Sequence, residues 1–159
     1  MEKLAQTLGE RLKSAGAMLV TAESCTGGWV AEVVTSVAGS SDWFERGFVV
    51  YSNDAKRELL GVRPETLLQH GAVSEETARE MARGALERGR GTLALAVTGI
   101  AGPGGGSAGK PVGMVCFAWA GKAGLLRSET CHFRGDRQSV RRESVIRALE
   151  GVLQALDGG

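Results

Sequence analysis

Apolar positions along the chain recur with two periods, and the points where the period changes mark out helices and strands. From Glu2 to Ala15, Leu4, Leu8 and Leu12 fall four apart, an amphipathic helix closed by Gly16. Met18 to Ala22 opens on a short apolar run and reads as a buried strand. Val30, Val33, Val34 and Val37 then return to helical spacing, predicting a helix over Ser24 to Val37 that Ala38-Gly39-Ser40-Ser41-Asp42 breaks. Phe48-Val49-Val50-Tyr51 is apolar and β-branched enough for a second buried strand. Asn53 to Leu60 predicts a short helix stopped by Gly61, and Pro64 to Gln69 another turn stopped by Gly71. Ser74-Glu75-Glu76 is a capped helix start, with Ala78, Met81, Ala82 and Ala85 on the inner stripe and Leu86 as a further candidate.

Thr92 to Val97 predicts a third buried strand running into a glycine-rich loop, Gly99 to Gly109. Val112 to Trp119 and Leu125 to Phe133, joined by Gly121-Lys122-Ala123-Gly124, read as a hairpin. Asp136 caps a last helix with Val145, Ala148, Leu149, Val152, Leu153 and Leu156 inside. Helices alternating with strands early and a hairpin late predict an α/β fold, with helices on both faces of a mixed sheet. Ligands of such sheets bind at the carboxyl ends of strands. Three polar or glycine-rich groups follow directly on apolar strands here: Glu23 to Gly28, Tyr51 to Lys56, and Thr98 to Gly106. Those groups are expected to converge on one pocket.

Composition narrows the field without naming a chemistry. At 159 residues the chain is most simply one domain, and a net charge of +1 gives no electrostatic case for nucleic acid or an acidic membrane. No apolar run reaches the roughly 18 residues of a membrane span, and Met1-Glu2-Lys3-Leu4 lacks the pattern of a signal peptide. The three cysteines, Cys25, Cys116 and Cys131, are odd in number and suit reduced thiols in a cytoplasm. The 24 glycines lie between periodic segments, where they read as tight turns.

Ser24 has two readings. Beside unpaired N–H groups at a helix start, a serine hydroxyl either caps the helix or attacks a substrate whose oxyanion those N–H groups hold. The two histidines, His70 and His132, lie far apart in sequence and Cys131-His132 has no second pair at zinc spacing, which argues against a metal site; both lie outside the three converging segments, which argues against a Ser-His-Asp triad. A buried neutral lysine can take the hydroxyl proton instead, and Lys56 is placed to do so, with Tyr51 and Asn53 near enough to orient it or to donate to a substrate. Cys25 is the rival nucleophile. Gly104 to Lys110 has the spacing of a phosphate-cradling loop, and Gly104, Gly106 and Gly109 that of a dinucleotide fingerprint. Both need a helix next, whereas Pro111-Val112-Gly113-Met114-Val115 reads as a strand. Arg134, Arg137, Arg141 and Arg142 form either a solvated face or an anion site.

Four blocks together resemble the CinA C-terminal domain family: Thr21-Ala22-Glu23-Ser24-Cys25-Thr26-Gly27-Gly28, Tyr51-Ser52-Asn53-Asp54-Ala55-Lys56, Val97-Thr98-Gly99-Ile100-Ala101-Gly102-Pro103-Gly104-Gly105, and Gly135-Asp136-Arg137 with Val140-Arg141. The likeness runs from about Leu4 to Leu156 with the blocks in family order. It implies a three-layer α/β/α sandwich with a mixed sheet, and hydrolysis of nicotinamide mononucleotide to nicotinate mononucleotide and ammonia. The resemblance also implies Ser24 as nucleophile, Lys56 as base and proton donor, and Tyr51 and Thr98 as further active-site residues. The backbone after Ser24, through Cys25, Thr26, Gly27 and Gly28, is then the candidate oxyanion site, with Asn53 on the substrate. The loop carrying Gly99, Gly102, Gly104 and Gly105, with Arg137 and Arg141, would hold ribose and phosphate. No metal or organic cofactor is implied; the partner is a small nucleotide, and the family suggests a homo-oligomer. The alternative is a non-catalytic nucleotide-binding or regulatory module of the same fold. Many relatives carry this domain behind a larger one resembling molybdopterin-binding proteins. Here the chain opens directly on its first helix, so the second activity is not carried over.

Overall fold

The computed structural model describes residues 1–158. Its elements run α1 (Glu2–Ser14), β1 (Leu19–Glu23), α2 (Trp29–Thr35), a 3₁₀ turn (Ser40–Asp42), β2 (Phe44–Val49), α3 (Asn53–Leu60), α4 (Pro64–His70), α5 (Glu75–Arg88), β3 (Leu93–Gly99), β4 (Met114–Gly121), β5 (Leu126–His132) and α6 (Arg137–Gly158). The strands form one sheet in the order β2-β1-β3-β4-β5. β1 pairs parallel with β2 and β3, and β3, β4 and β5 pair antiparallel. The mixed sheet follows from the connections: helices return the chain between parallel neighbours, while the glycine-rich loop and the 122–125 turn reverse it.

The two faces of the sheet are built differently. One carries Leu19, Leu95, Val97, Val115, Phe117 and Trp119 against α1, α2 and α6. The other is paved with Ala22, Ala94, Ala96, Ala118 and Ala120, which lets α5 lie close through Ala78, Met81, Ala82 and Ala85. Helices thus cover both faces, the expected three layers. Close approach recurs at glycines: a Cβ on Gly84 would stand 1.9 Å from the Leu60 carbonyl oxygen, and one on Gly151 would stand 2.0 Å from the Trp119 ring. Trp119 also donates its indole N–H to the Ala148 carbonyl, at 3.0 Å, so its polar atom is satisfied inside the core.

Caps read from the sequence are in place: Ser74 accepts from the N–H group of Thr77, and Asp136 from that of Ser139. Ser52, not among those read, likewise accepts from the N–H group of Ala55. Two elements differ. The second strand is Phe44–Val49 and lies at the sheet edge, so it needs no continuous apolar run; Tyr51, expected to end it, is 64% exposed beyond it. The helix expected from Ser24 begins only at Trp29, because Gly27 (φ 59°) and Gly28 (φ 103°) turn the backbone through the left-handed region.

Candidate active site

Register sets the site. Glu23, the last residue of β1, lies level with Val49 on one side and Val97 on the other. The Ser24 N–H donates to the Val97 carbonyl at 3.0 Å, and the Val50 N–H to the Glu23 carbonyl at 2.8 Å. The chain therefore leaves the three parallel strands at one height, bringing Ser24, Tyr51 and Thr98 together where α/β sheets bind ligands. A cavity of about 230 Å³ opens there, lined by Ser24, Cys25, Tyr51, Asn53, Lys56, Ala72, Val73, Thr98, Gly99, Ala101 and Arg137.

Lys56 sits in the first turns of α3 and is 1% exposed. Its Nζ donates to the carbonyls of Val50 at 3.1 Å and Tyr51 at 3.2 Å, and lies 3.0 Å from Ser24 Oγ. Burial holds the amine below the ordinary lysine value of 10.5, since an ammonium loses its hydration there; the nearby Cys25 thiol opposes this weakly. A neutral amine has two hydrogens and one lone pair. With both hydrogens on carbonyls, the lone pair is left for the Ser24 hydroxyl.

Ser24 is not a helix cap. The carboxylate of Glu23, fully buried, caps α2 instead. Its Oε1 accepts from Thr26 Oγ1 at 2.6 Å and from the N–H groups of Gly28 at 3.2 Å and Val30 at 2.8 Å, and Oε2 accepts from that of Ala31 at 3.1 Å. This leaves the serine hydroxyl free to face Lys56. Cys25 is a poor rival: burial pushes its thiol up to about 12, against smaller opposing contributions from its own backbone N–H and from Arg141.

Other expected residues divide into two groups. Thr98 donates to the Ala72 carbonyl at 2.9 Å and so ties β3 to the 71–73 wall. Arg137 donates to the Gly102 carbonyl at 2.8 Å and reaches the Tyr51 hydroxyl at 3.4 Å across the mouth. Thr26, Gly27, Gly28, Gly102, Gly104 and Gly105 do not line the cavity, because the first three wrap round the Glu23 carboxylate and the glycine-rich loop stands outside Ala101. Arg141 does not line it either. Its Nε and Nη2 donate to the carbonyls of Cys25 and Thr26, both at 3.1 Å, and its guanidinium lies 5.4 Å from the Trp29 ring centroid. The sequence reading missed Glu23 as a brace, although an acid four residues before the Gly27-Gly28 pair was visible. It also missed Ala72 and Val73, which carry no chemical signal. A larger, more open cavity of about 570 Å³ lies beyond Val73, lined by charged residues including Glu75, Arg79 and Lys110, but it reaches neither Ser24 nor Lys56.

Known proteins are similar to this chain over nearly their whole length. The chain is 55% identical over 154 residues to the nicotinamide-nucleotide amidohydrolase PncC of Escherichia coli (strain K12), covering 96% of this chain and 92% of that one. To the protein of the same name from Pseudomonas putida it is 53% identical over 152 residues, covering 95% and 94%. The crystal structure of the competence/damage inducible protein CihA from Agrobacterium tumefaciens superposes with a TM-score of 0.95 at 50% identity, covering 98% and 94%. The family model for the CinA C-terminal domain matches residues 1–156. With the sheet, the strand-end cavity and the sequence in agreement, the chain belongs to the CinA C-terminal domain family.

Proposed function

We propose that this chain is a nicotinamide-nucleotide amidohydrolase, converting nicotinamide mononucleotide to nicotinate mononucleotide and ammonia through Ser24 and Lys56. The observation that carries the mechanism is the 3.0 Å approach of a buried, carbonyl-anchored amine to the Ser24 hydroxyl. The relatives named above support the substrate class.

Ser24 Oγ attacks the carboxamide carbon while Lys56 takes its proton. The tetrahedral oxyanion is received by the backbone N–H of Cys25, the residue of the turn after Ser24 that lines the cavity. The C–N bond then breaks, and Lys56 returns the proton to the departing nitrogen, which leaves as ammonia. Water, deprotonated by the same amine, hydrolyses the acyl-serine and releases the carboxylate. The sum is amide plus water giving carboxylic acid plus ammonia. Thr98 steadies the cavity wall, Asn53 and the exposed Tyr51 ring meet the substrate, and Arg137 at the mouth takes its phosphate. A cytoplasmic setting, a single domain over 1–159 and a homo-oligomeric state complete the proposal; the three cysteines are free thiols, and none of the described helices is long and apolar enough to cross a membrane.

The test is ammonia release, with product analysis, from a panel of nicotinamide-bearing nucleotides by wild type and Ser24→Ala. Turnover of the mononucleotide by wild type, lost in Ser24→Ala, is expected. Tight binding with no product would instead make the chain a nucleotide-binding module, and full activity in Ser24→Ala would remove the mechanism.

A further inference from the structure

Arg141 reaches from α6 to grip the turn that carries the nucleophile, and what it grips is backbone. Two of its donors meet two consecutive carbonyls, those of Cys25 and Thr26, while the guanidinium packs on the Trp29 ring. The planar fork offers two nitrogens at a fixed spacing to two acceptors, a geometry that the single nitrogen of an ammonium does not reproduce.

Peptide geometry gives that grip a consequence. In a trans peptide the C=O and N–H of one unit point in opposite directions. The Cys25 carbonyl shares its unit with the Thr26 N–H, so turning the carbonyl to Arg141 turns that N–H away from the guanidinium. The Ser24 carbonyl, held by the Gly27 N–H at 3.1 Å, fixes the Cys25 N–H in the same manner. Among the described residues, neither the Cys25 nor the Thr26 N–H donates to an oxygen of the protein, although Cys25 is 6% exposed and Thr26 fully buried. Buried N–H groups rarely go unpaired without a reason. Their neighbours in the turn are all engaged: Gly27 with Ser24, Trp29 with Thr26, and Gly28 and Val30 with Glu23.

We propose that Arg141 is a positioning residue for the hydrolysis: by holding the Thr26 carbonyl it fixes the peptide unit whose Gly27 N–H holds the Ser24 carbonyl, and so orients the Cys25 N–H that receives the oxyanion, while its grip on the Cys25 carbonyl fixes the other end of that residue. It touches neither substrate nor the reacting atoms. The inference rests on the reading of Ser24 as nucleophile and goes beyond it, and it replaces the phosphate-binding part that the sequence suggested for Arg141.

The test is steady-state kinetics of Arg141→Ala, Arg141→Lys and Ser24→Ala on nicotinamide mononucleotide, with thermal unfolding of each. Removing one oxyanion donor costs about 10²–10³-fold in kcat, so misorienting the donor in Arg141→Ala is expected to cost about 10- to 100-fold. KM should stay within about twofold, because ground-state binding is untouched. Arg141→Lys should recover only part of the loss, and added methylguanidinium should restore kcat of Arg141→Ala in a saturable way, with the pH dependence unchanged. A raised KM at unchanged kcat would make Arg141 a substrate ligand and overturn the proposal. A kcat loss that tracks the loss of folded protein, with no rescue by methylguanidinium, would overturn it too. Should Ser24→Ala be inactive while Arg141→Ala keeps its kcat, only this inference falls; should Ser24→Ala keep its rate, the reading beneath it falls as well.

Discussion

The turn after β1 and the loop after β3 leave neighbouring parallel strands at the same height, yet they are built on opposite plans. The first, residues 24–28, is tied from inside by the Glu23 carboxylate and from outside by the Arg141 guanidinium, and its residues up to Thr26 are buried. The second is exposed from Pro103 to Gly109; its glycines 104 and 109 have open space where a side chain would go. Both are glycine-bearing and both border a cavity, so glycine content alone does not tell a fixed loop from a loose one. What separates them is the number of charged side chains committed to their backbone. The fixed turn carries the atom that must attack along one line, and misplacement of such an atom by about 1 Å is enough to cost a hundredfold in rate.

The strongest way to break the contrast is to remove the amine facing the fixed turn. Lys56→Ala should lose about 10²–10⁴-fold in kcat, the usual worth of a positioned base. In wild type, kcat/KM should climb with pH as Lys56 loses its proton and level off below 10.5, because burial lowers the folded-state value and only the neutral form accepts the Ser24 proton. A rate flat from mildly acid to mildly alkaline pH would count against Lys56 as base. Next in size, Glu23→Ala leaves the N–H groups of Val30 and Ala31 without their acceptor inside the protein. It should destabilise by about 2–4 kcal/mol in urea unfolding, with Glu23→Gln between it and wild type. The smallest effect belongs to the loose loop. Gly104→Ala meets nothing within 4 Å and needs no left-handed backbone. It should stabilise by about 0.4–1 kcal/mol through the unfolded chain, whereas at Gly102 (φ 84°) a Cβ would strike Val112 at 2.4 Å.

The same contrast explains what the sequence made legible. Ser74, Asp136 and Gly61 act within one turn of themselves, so their caps and stop could be read locally. The meeting of Ser24, Tyr51, Lys56 and Thr98 was legible because strand ends in such sheets share a level. The start of α2 was not, since its cap comes from a strand residue whose carboxylate reaches forward over the turn to Gly28, Val30 and Ala31. Nor was the part played by Arg141. Its charge was plain, but whether an arginine faces outward to a phosphate or inward to carbonyls depends on contacts more than a hundred residues apart in sequence. For Phe44–Val49, Glu45 and Arg46 hide an edge strand from any search for apolar runs.

The anchoring of Lys56 by two carbonyls limits the timing of the proposed reaction. An amine whose other valences are pinned is a one-lane crossing for protons, so collection from the serine, delivery to nitrogen and collection from water must all use the same lane in turn. Ammonia has to vacate before the incoming water can occupy its berth, which makes the order of departure compulsory: the gas first, the acid nucleotide second.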